Sequence, residues 1–191
     1  MSKKRQLLID TALELFYTQG INSIGINEVL KVSGVAKKTL YSHFESKDAL
    51  ILAALEQRHS VFIQWLESKL ADAPDDESLI RQLFGALDEW FHGESKELGA
   101  FRGCFFINTS AEFSQQSPEI LGQCQLHKQQ VKALLDDRLQ CPSPLLLDTL
   151  CTLKEGAISS AHVSHDRDAA KRCIEPLLVL LSSVNAPASE A

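Results

Sequence analysis

The residues best suited by type and spacing to do chemistry lie between positions 37 and 47. Lys37 and Lys38 are long cationic arms for phosphate, Thr39 and Ser42 can donate or accept hydrogen bonds, Tyr41 offers an aromatic face and a hydroxyl, and His43 can serve either purpose. Cations that position and neutral groups that read base edges are the two components of a DNA-reading surface. Leu40 and Phe44, four apart, share one helical face and would turn that whole set outward. Upstream, Ile26, Val29, Leu30 and Ser33 fall at i, i+3, i+4 and i+7, and the stripe stops at Gly34, a residue suited to a left-handed cap. Val35 fills the corner. Two short helices joined by a tight glycine turn, a helix-turn-helix, are therefore expected over 26–44. Lys47 would follow in the first turn of the next helix, whose N-terminus already favours an anion, and is expected to contact phosphate.

Gly20, Val29, Gly34, Val35, Thr39, Leu40, Tyr41, His43, Phe44 and Lys47, with Phe16 before them, resemble the N-terminal signature of the tetracycline-repressor (TetR-like) family of bacterial transcriptional regulators. Three positions depart from that pattern. Gly25 stands where the family usually has a Thr or Ser cap, a change worth a few tenths of a kcal/mol. Leu30 replaces a usual alanine, which predicts more open packing between the first two helices. Ala36 replaces the usual serine at the start of the recognition helix, a loss of about 1 kcal/mol; that helix is expected to be loosely ordered without DNA. The resemblance implies a homodimer that binds operator DNA through its heads and a small-molecule effector through its bodies.

The remainder of the chain must position these groups. Net charge is −6, which alone argues against nucleic acid, but residues 1–47 carry seven basic and four acidic residues, a net of +3, leaving −9 elsewhere. A basic head on an acidic body suits DNA contact through the head only. No apolar run approaches the roughly 18 residues of a membrane span, so no membrane association is expected. Asp10 and Glu14 interrupt the apolar stretch after Lys3, Lys4 and Arg5 at helical spacing, which reads as an amphipathic helix and not as a signal peptide. Five cysteines, odd in number and without a CxxC pair, support neither a disulfide framework nor a zinc ribbon, and a reducing cytoplasm is the expected location.

Periodicity predicts a first helix over Lys3–Gln19 and a long helix from about Lys47 to Ala71 with Ser46 as its cap. Further helices are expected from Asp76 to near Gly93, from Pro118 to about Gln140, from Leu145 to about Val163 and from Arg167 to Val184. The fold class is all-α: a three-helix head at 1–46, a ligand-binding and dimerisation bundle of about six helices at 47–185, and a tail at 186–191.

Within the body, AFRGCFFINTSAEF resembles a GC-x-x-x-N-x-x-x-E stretch found in one branch of the family. Trp90, Phe91, Phe101, Phe105, Phe106 and Phe113 are expected as aromatic walls of a ligand cavity, with Arg102, Asn108 and Glu112 as polar contacts and Cys104 as a further lining residue. Because Arg102 and Glu112 would cancel, a neutral or weakly charged apolar effector is expected. Cys104 is read chiefly as a small hydrophobe, with redox or electrophile sensing as the alternative. The stripes of the last two helices, Leu146, Leu150, Leu153 and Ala157 on one and Ile174, Leu177, Leu178 and Leu181 on the other, are expected to form the dimer interface the resemblance implies. The pairs Cys124/His127 and His162/His165 offer two ligands each where a metal needs three or four, so no metal is expected. No nucleophile, base and orienting residue stand in a recognisable arrangement and no phosphate loop occurs, so neither an enzyme nor a cofactor is expected. The function so read is a ligand-responsive repressor that leaves its operator when an apolar molecule fills the body.

Overall fold

The computed structural model describes residues 2–113 and 117–186, and these form nine α-helices with no strand among them. They are α1 (Lys3–Gln19), α2 (Ile26–Ser33), α3 (Lys37–Tyr41), α4 (Lys47–Lys69), α5 (Asp76–Phe91), α6 (Phe105–Phe113), α7 (Pro118–Arg138), α8 (Pro144–Val163) and α9 (Ala169–Asn185). Of the expected tail only Ala186 lies within the described residues. Two compact units result, one from Met1–Val61 with Cys104–Lys128, the other from Phe62–Gly103 with Gln129–Ala191. Packing thus groups α6 and the first part of α7 with the N-terminal helices.

In the first unit, α1 buries Leu8, Ile9, Ala12, Leu15 and Phe16, as its stripe predicts, and contacts α2 and α3. The helix stops at Gly20, whose N–H donates to Phe16 O at 3.0 Å. Gly34 closes α2 at φ +67°, a left-handed conformation that costs a residue with a Cβ, and its N–H donates to Leu30 O at 2.9 Å. This turn fixes the angle at which α3 leaves. Gly25 and Ala36 precede α2 and α3 in extended conformation without a side-chain cap, as the two departures predict. Leu40 and Phe44 are buried at 0% and 3% exposure, so the opposite face of α3 is left to solvent. At the start of α4, Ser46 Oγ accepts from Ala49 N at 3.1 Å, the expected cap.

In the second unit, α5, α8 and α9 pack on one another. Asp75 caps α5 by accepting from Ser78 N at 2.7 Å, a bond that lowers its pKa. Buried Asp76 accepts from Gln140 N at 2.7 Å and Cys141 N at 2.9 Å, which satisfies backbone donors just beyond α7. Ser143 caps α8 with Pro144 at the first position, where a missing N–H is harmless. Gly103, at φ +80°, lies so close to the His162 ring that a Cβ there would stand 2.7 Å from Cγ.

Candidate functional site

On α3 and the two residues after it, Lys37, Lys38, Tyr41 and Ser42 are exposed, while Thr39 and His43 are half-buried. Lys37 Nζ stands 6.0 Å from the Tyr41 ring centroid, and Ser42 Oγ donates to Thr39 O at 2.7 Å. The outward set is therefore brought together on one short helix and the two residues that follow it. Lys47 differs. It is half-buried, its Nζ donates to Ile21 O at 2.6 Å and lies 5.9 Å from the Phe16 ring centroid. Burial lowers its pKa, opposed by Glu112 and Asp48. Its ammonium serves the α1–α2 connection.

The ten expected ligand residues divide between the two units. Trp90, Phe91 and Phe101 cluster in the second, with centroids 4.9 Å apart for Trp90–Phe101 and 4.7 Å for Phe91–Phe101. Arg102 is exposed in the same unit. In the first unit, Phe105 meets Tyr17 edge-on at 5.8 Å, and Phe106 stacks on the His127 ring at 3.6 Å and 8°. Buried Cys104 takes a hydrogen bond from Lys128 Nζ at 3.4 Å. Phe113 is buried and Asn108 half-buried. Glu112 is engaged locally: its carboxylate accepts from Ile21 N at 3.0 Å and Asn22 N at 2.7 Å. That carboxylate is engaged with backbone amides of the first unit, whereas Arg102 belongs to the second.

Several residues of this neighbourhood were missed by the sequence reading. His59 Nδ1 lies 3.0 Å from His127 Nδ1, so one ring nitrogen must carry a hydrogen and the other a lone pair. Arg58 is 7% exposed with its guanidinium 5.0 Å from the Tyr17 ring centroid, and desolvation lowers its pKa. The Thr109 hydroxyl on α6 is fully buried and has no hydrogen-bond partner among the described residues. A signal did exist: His59 lies four after Leu55 and three before Phe62, and His127 lies between Cys124 and Val131, so both fall on buried stripes. An open groove of about 870 Å³ in the same unit is lined by Arg5, Gln6, Ile9, Ala53, Glu56 and Gln57 among others, and by none of the ten expected ligand residues.

The expected dimer residues also separate. Leu146, Leu150, Ala157, Leu177 and Leu181 are buried within their own unit, whereas Leu153, Ile174 and Leu178 are half-buried. The strongly exposed apolar side chains of α8 and α9 are Leu145, Val163 and Val179. Five of the eight expected interface residues therefore fill the chain's own core, because the stripes face α5 and each other. Among the described residues, one group of three metal-type donors converges, Asp88, His92 and Asp168, with Lys171 Nζ already 3.0 Å from Asp88 Oδ2.

Comparison with known proteins gives the following. Residues 8–54 match the sequence family of bacterial regulatory proteins, tetR family. The chain is 29% identical over 117 residues to the HTH-type transcriptional repressor ComR of Escherichia coli K12, covering 61% of this chain and 54% of ComR. It is 27% identical over 136 residues to the HTH-type transcriptional repressor NemR of the same organism, covering 71% of this chain and 67% of NemR. It thus spans only about half of ComR's length. Among solved structures, SCO4454, a TetR-family transcriptional regulator from Streptomyces coelicolor, superposes with a TM-score of 0.82 at 24% identity over 96% of both chains. The reduced form of E. coli NemR does so with a TM-score of 0.77 at 23% identity, over 92% of this chain and 95% of that one.

Proposed function

We propose, from the premise that this chain is a TetR-like regulator, that it is a homodimeric repressor that leaves its operator when a small molecule binds the helices beyond the head. Residues 1–46 then act as the DNA-binding domain, residues 47–185 as the effector and dimerisation domain, and the protein works in the cytoplasm with its DNA. The observation that carries this reading is the face of α3, where Lys37, Lys38, Tyr41 and Ser42 stand outward over buried Leu40 and Phe44. Lysines there hold phosphates, while Tyr41, Ser42, Thr39 and His43 face base edges or sugar. Lys47 supports the head from inside.

The effector contacts are the aromatic and polar residues of α6 and its neighbours. Phe105, Phe106 and Asn108 lie on that helix, and the buried Thr109 hydroxyl beside them favours a ligand with a polar group to meet it, since an unsatisfied buried hydroxyl costs about 1–3 kcal/mol. The dimer face is the outward side of α8 and α9, with Leu145, Val163 and Val179 joined by half-buried Leu153, Ile174 and Leu178. A two-fold DNA site calls for a two-fold protein. Footprinting on DNA upstream of the chain's own gene tests the reading: a protected, inverted-repeat segment is expected, and absence of any protected segment at low salt rejects it.

A second reading, sensing of an oxidant or electrophile through Cys104, is favoured by one contact. Lys128 Nζ donates to Cys104 Sγ at 3.4 Å, which places an ammonium group directly against this sulfur. Its expected outcome is that N-ethylmaleimide abolishes operator binding by the wild type and leaves that of Cys104→Ala intact.

A further inference from the structure

We propose that Glu112 is a positioning residue that clasps the α1–α2 connection and so couples α6 to the DNA-reading head; the inference rests on the regulator reading above and names the route of its regulation. Glu112 stands in the last turn of α6. Its two carboxylate oxygens accept from consecutive backbone amides, Ile21 N at 3.0 Å and Asn22 N at 2.7 Å. Asn22 Nδ2 donates in return to the Glu112 carbonyl at 3.1 Å. From the base of α4, Lys47 Nζ donates to Ile21 O at 2.6 Å, so one residue is held through both its N–H and its C=O. Ile21 itself is fully buried.

Two features make this more than an incidental contact. First, a carboxylate gripping two successive amides fixes direction as well as distance, because charge-assisted bonds are short and strongly oriented. Gly20 leaves the approach open: at φ +85° a Cβ there would lie 3.3 Å from Glu112 Oε1. Second, α6 is one helix of nine residues, with Phe105 and Phe106 at one end and the clasp at the other. At about 1.5 Å rise per residue it is a rod of roughly 12 Å, so a displacement forced on its first turn reaches the clasp without dissipating in a loop. The clasped segment leads directly into α2, the first helix of the helix-turn-helix. A glutamine in place of Glu112 could accept through one oxygen only and would turn an N–H donor toward a backbone N–H.

Linkage makes the proposal testable without knowing the effector: if α6 biases the head, operator DNA on the head must bias α6 by the same factor. The experiment is amide hydrogen exchange on the full chain, with and without the operator duplex recovered by footprinting, for wild type, Glu112→Gln and Asn22→Ala. In the wild type, operator is expected to slow exchange in both the 20–25 segment and α6 by about fivefold or more, the lower end of ordinary allosteric coupling. In Glu112→Gln the Ile21 and Asn22 amides lose protection while Gly20, bonded to Phe16 O, keeps it, and α6 no longer responds to DNA although the duplex still binds. Asn22→Ala, lacking only the return bond, shows a reduced α6 response. A wild-type α6 that is silent to DNA, or a Glu112→Gln α6 that responds in full, overturns the clasp and leaves the regulator reading standing. A wild type that binds no duplex overturns both. Should Glu112→Gln not fold, an unchanged α6 response in Asn22→Ala overturns the clasp by itself.

Discussion

Lys47 Nζ sits 2.6 Å from the Ile21 carbonyl in a half-buried position, and burial lowers its pKa, so its ammonium is already engaged within the chain. Lys37 and Lys38 have no such engagement and are exposed. Each of Lys37→Ala and Lys38→Ala is therefore expected to flatten the dependence of log K on log salt by about 0.9. Lys47→Ala should leave that slope unchanged and instead lower stability by about 1.5 kcal/mol in urea unfolding, the size of a hydrogen bond with one charged partner. Among the cysteines, burial pushes the Cys124 thiol from 9.0 to about 11, helped by Cys104 and opposed by Lys128. The folded chain holds this proton more tightly than the unfolded chain. Its contribution to stability is thus whole below pH 9 and fades as pH rises toward 11. Cys124→Val should remove that part of the alkaline loss in pH-dependent unfolding, and in the wild type Cys124 should alkylate slowly at neutral pH by peptide mass spectrometry.

Short elements depend on their ends. α3 is five residues long and begins from Ala36, whose φ of −66° and ψ of 144° already suit a capping residue that has no side-chain oxygen to offer. Ala36→Ser should supply one to the Lys38 or Thr39 N–H, stabilising the protein by about 1 kcal/mol and tightening operator binding, read by thermal unfolding and gel shift. At Gly103 the constraint is reversed, because positive φ and the His162 ring both exclude a side chain. Gly103→Ala is expected to cost more than about 1 kcal/mol from the backbone conformation alone, before the ring is displaced. Urea unfolding of the single variant beside a Gly103→Ala, His162→Ala double variant separates the two parts, since only the contact with the ring is relieved in the second.

At the scale of the molecule, charge and apolar surface divide the work. On the proposed regulator reading, the +3 of residues 1–47 meets the operator and the −9 elsewhere disfavours DNA, so binding is expected to be steeply salt-dependent and confined to the head. In the proposed dimer, the interface is expected on the apolar surface that each chain leaves exposed. A Val163→Glu, Val179→Glu double variant should therefore sediment as a folded monomer with lost operator affinity, because both residues are exposed and apolar. Leu150→Glu or Leu177→Glu should unfold the chain instead, since each would bury an unpaired charge in a site that is 0% exposed without any partner. A folded dimer of the first variant would move the interface elsewhere.

Helix positions, the left-handed Gly34 turn, the outward set on α3 and the uncapped starts at Gly25 and Ala36 were legible from residue order, because a helix is set by neighbours three and four apart and by its end residues. The same local rule found the stripes of α8 and α9 but not what they face. Whether Leu150 meets another chain or α5 depends on residues distant in sequence, and the tertiary structure decided for the core. It also decided that Lys47 and Glu112 converge on Ile21, from positions 26 and 91 residues away, and that His127 meets His59, 68 residues away. Periodicity fixes which face of a helix a residue occupies; only packing chooses the partner that waits there.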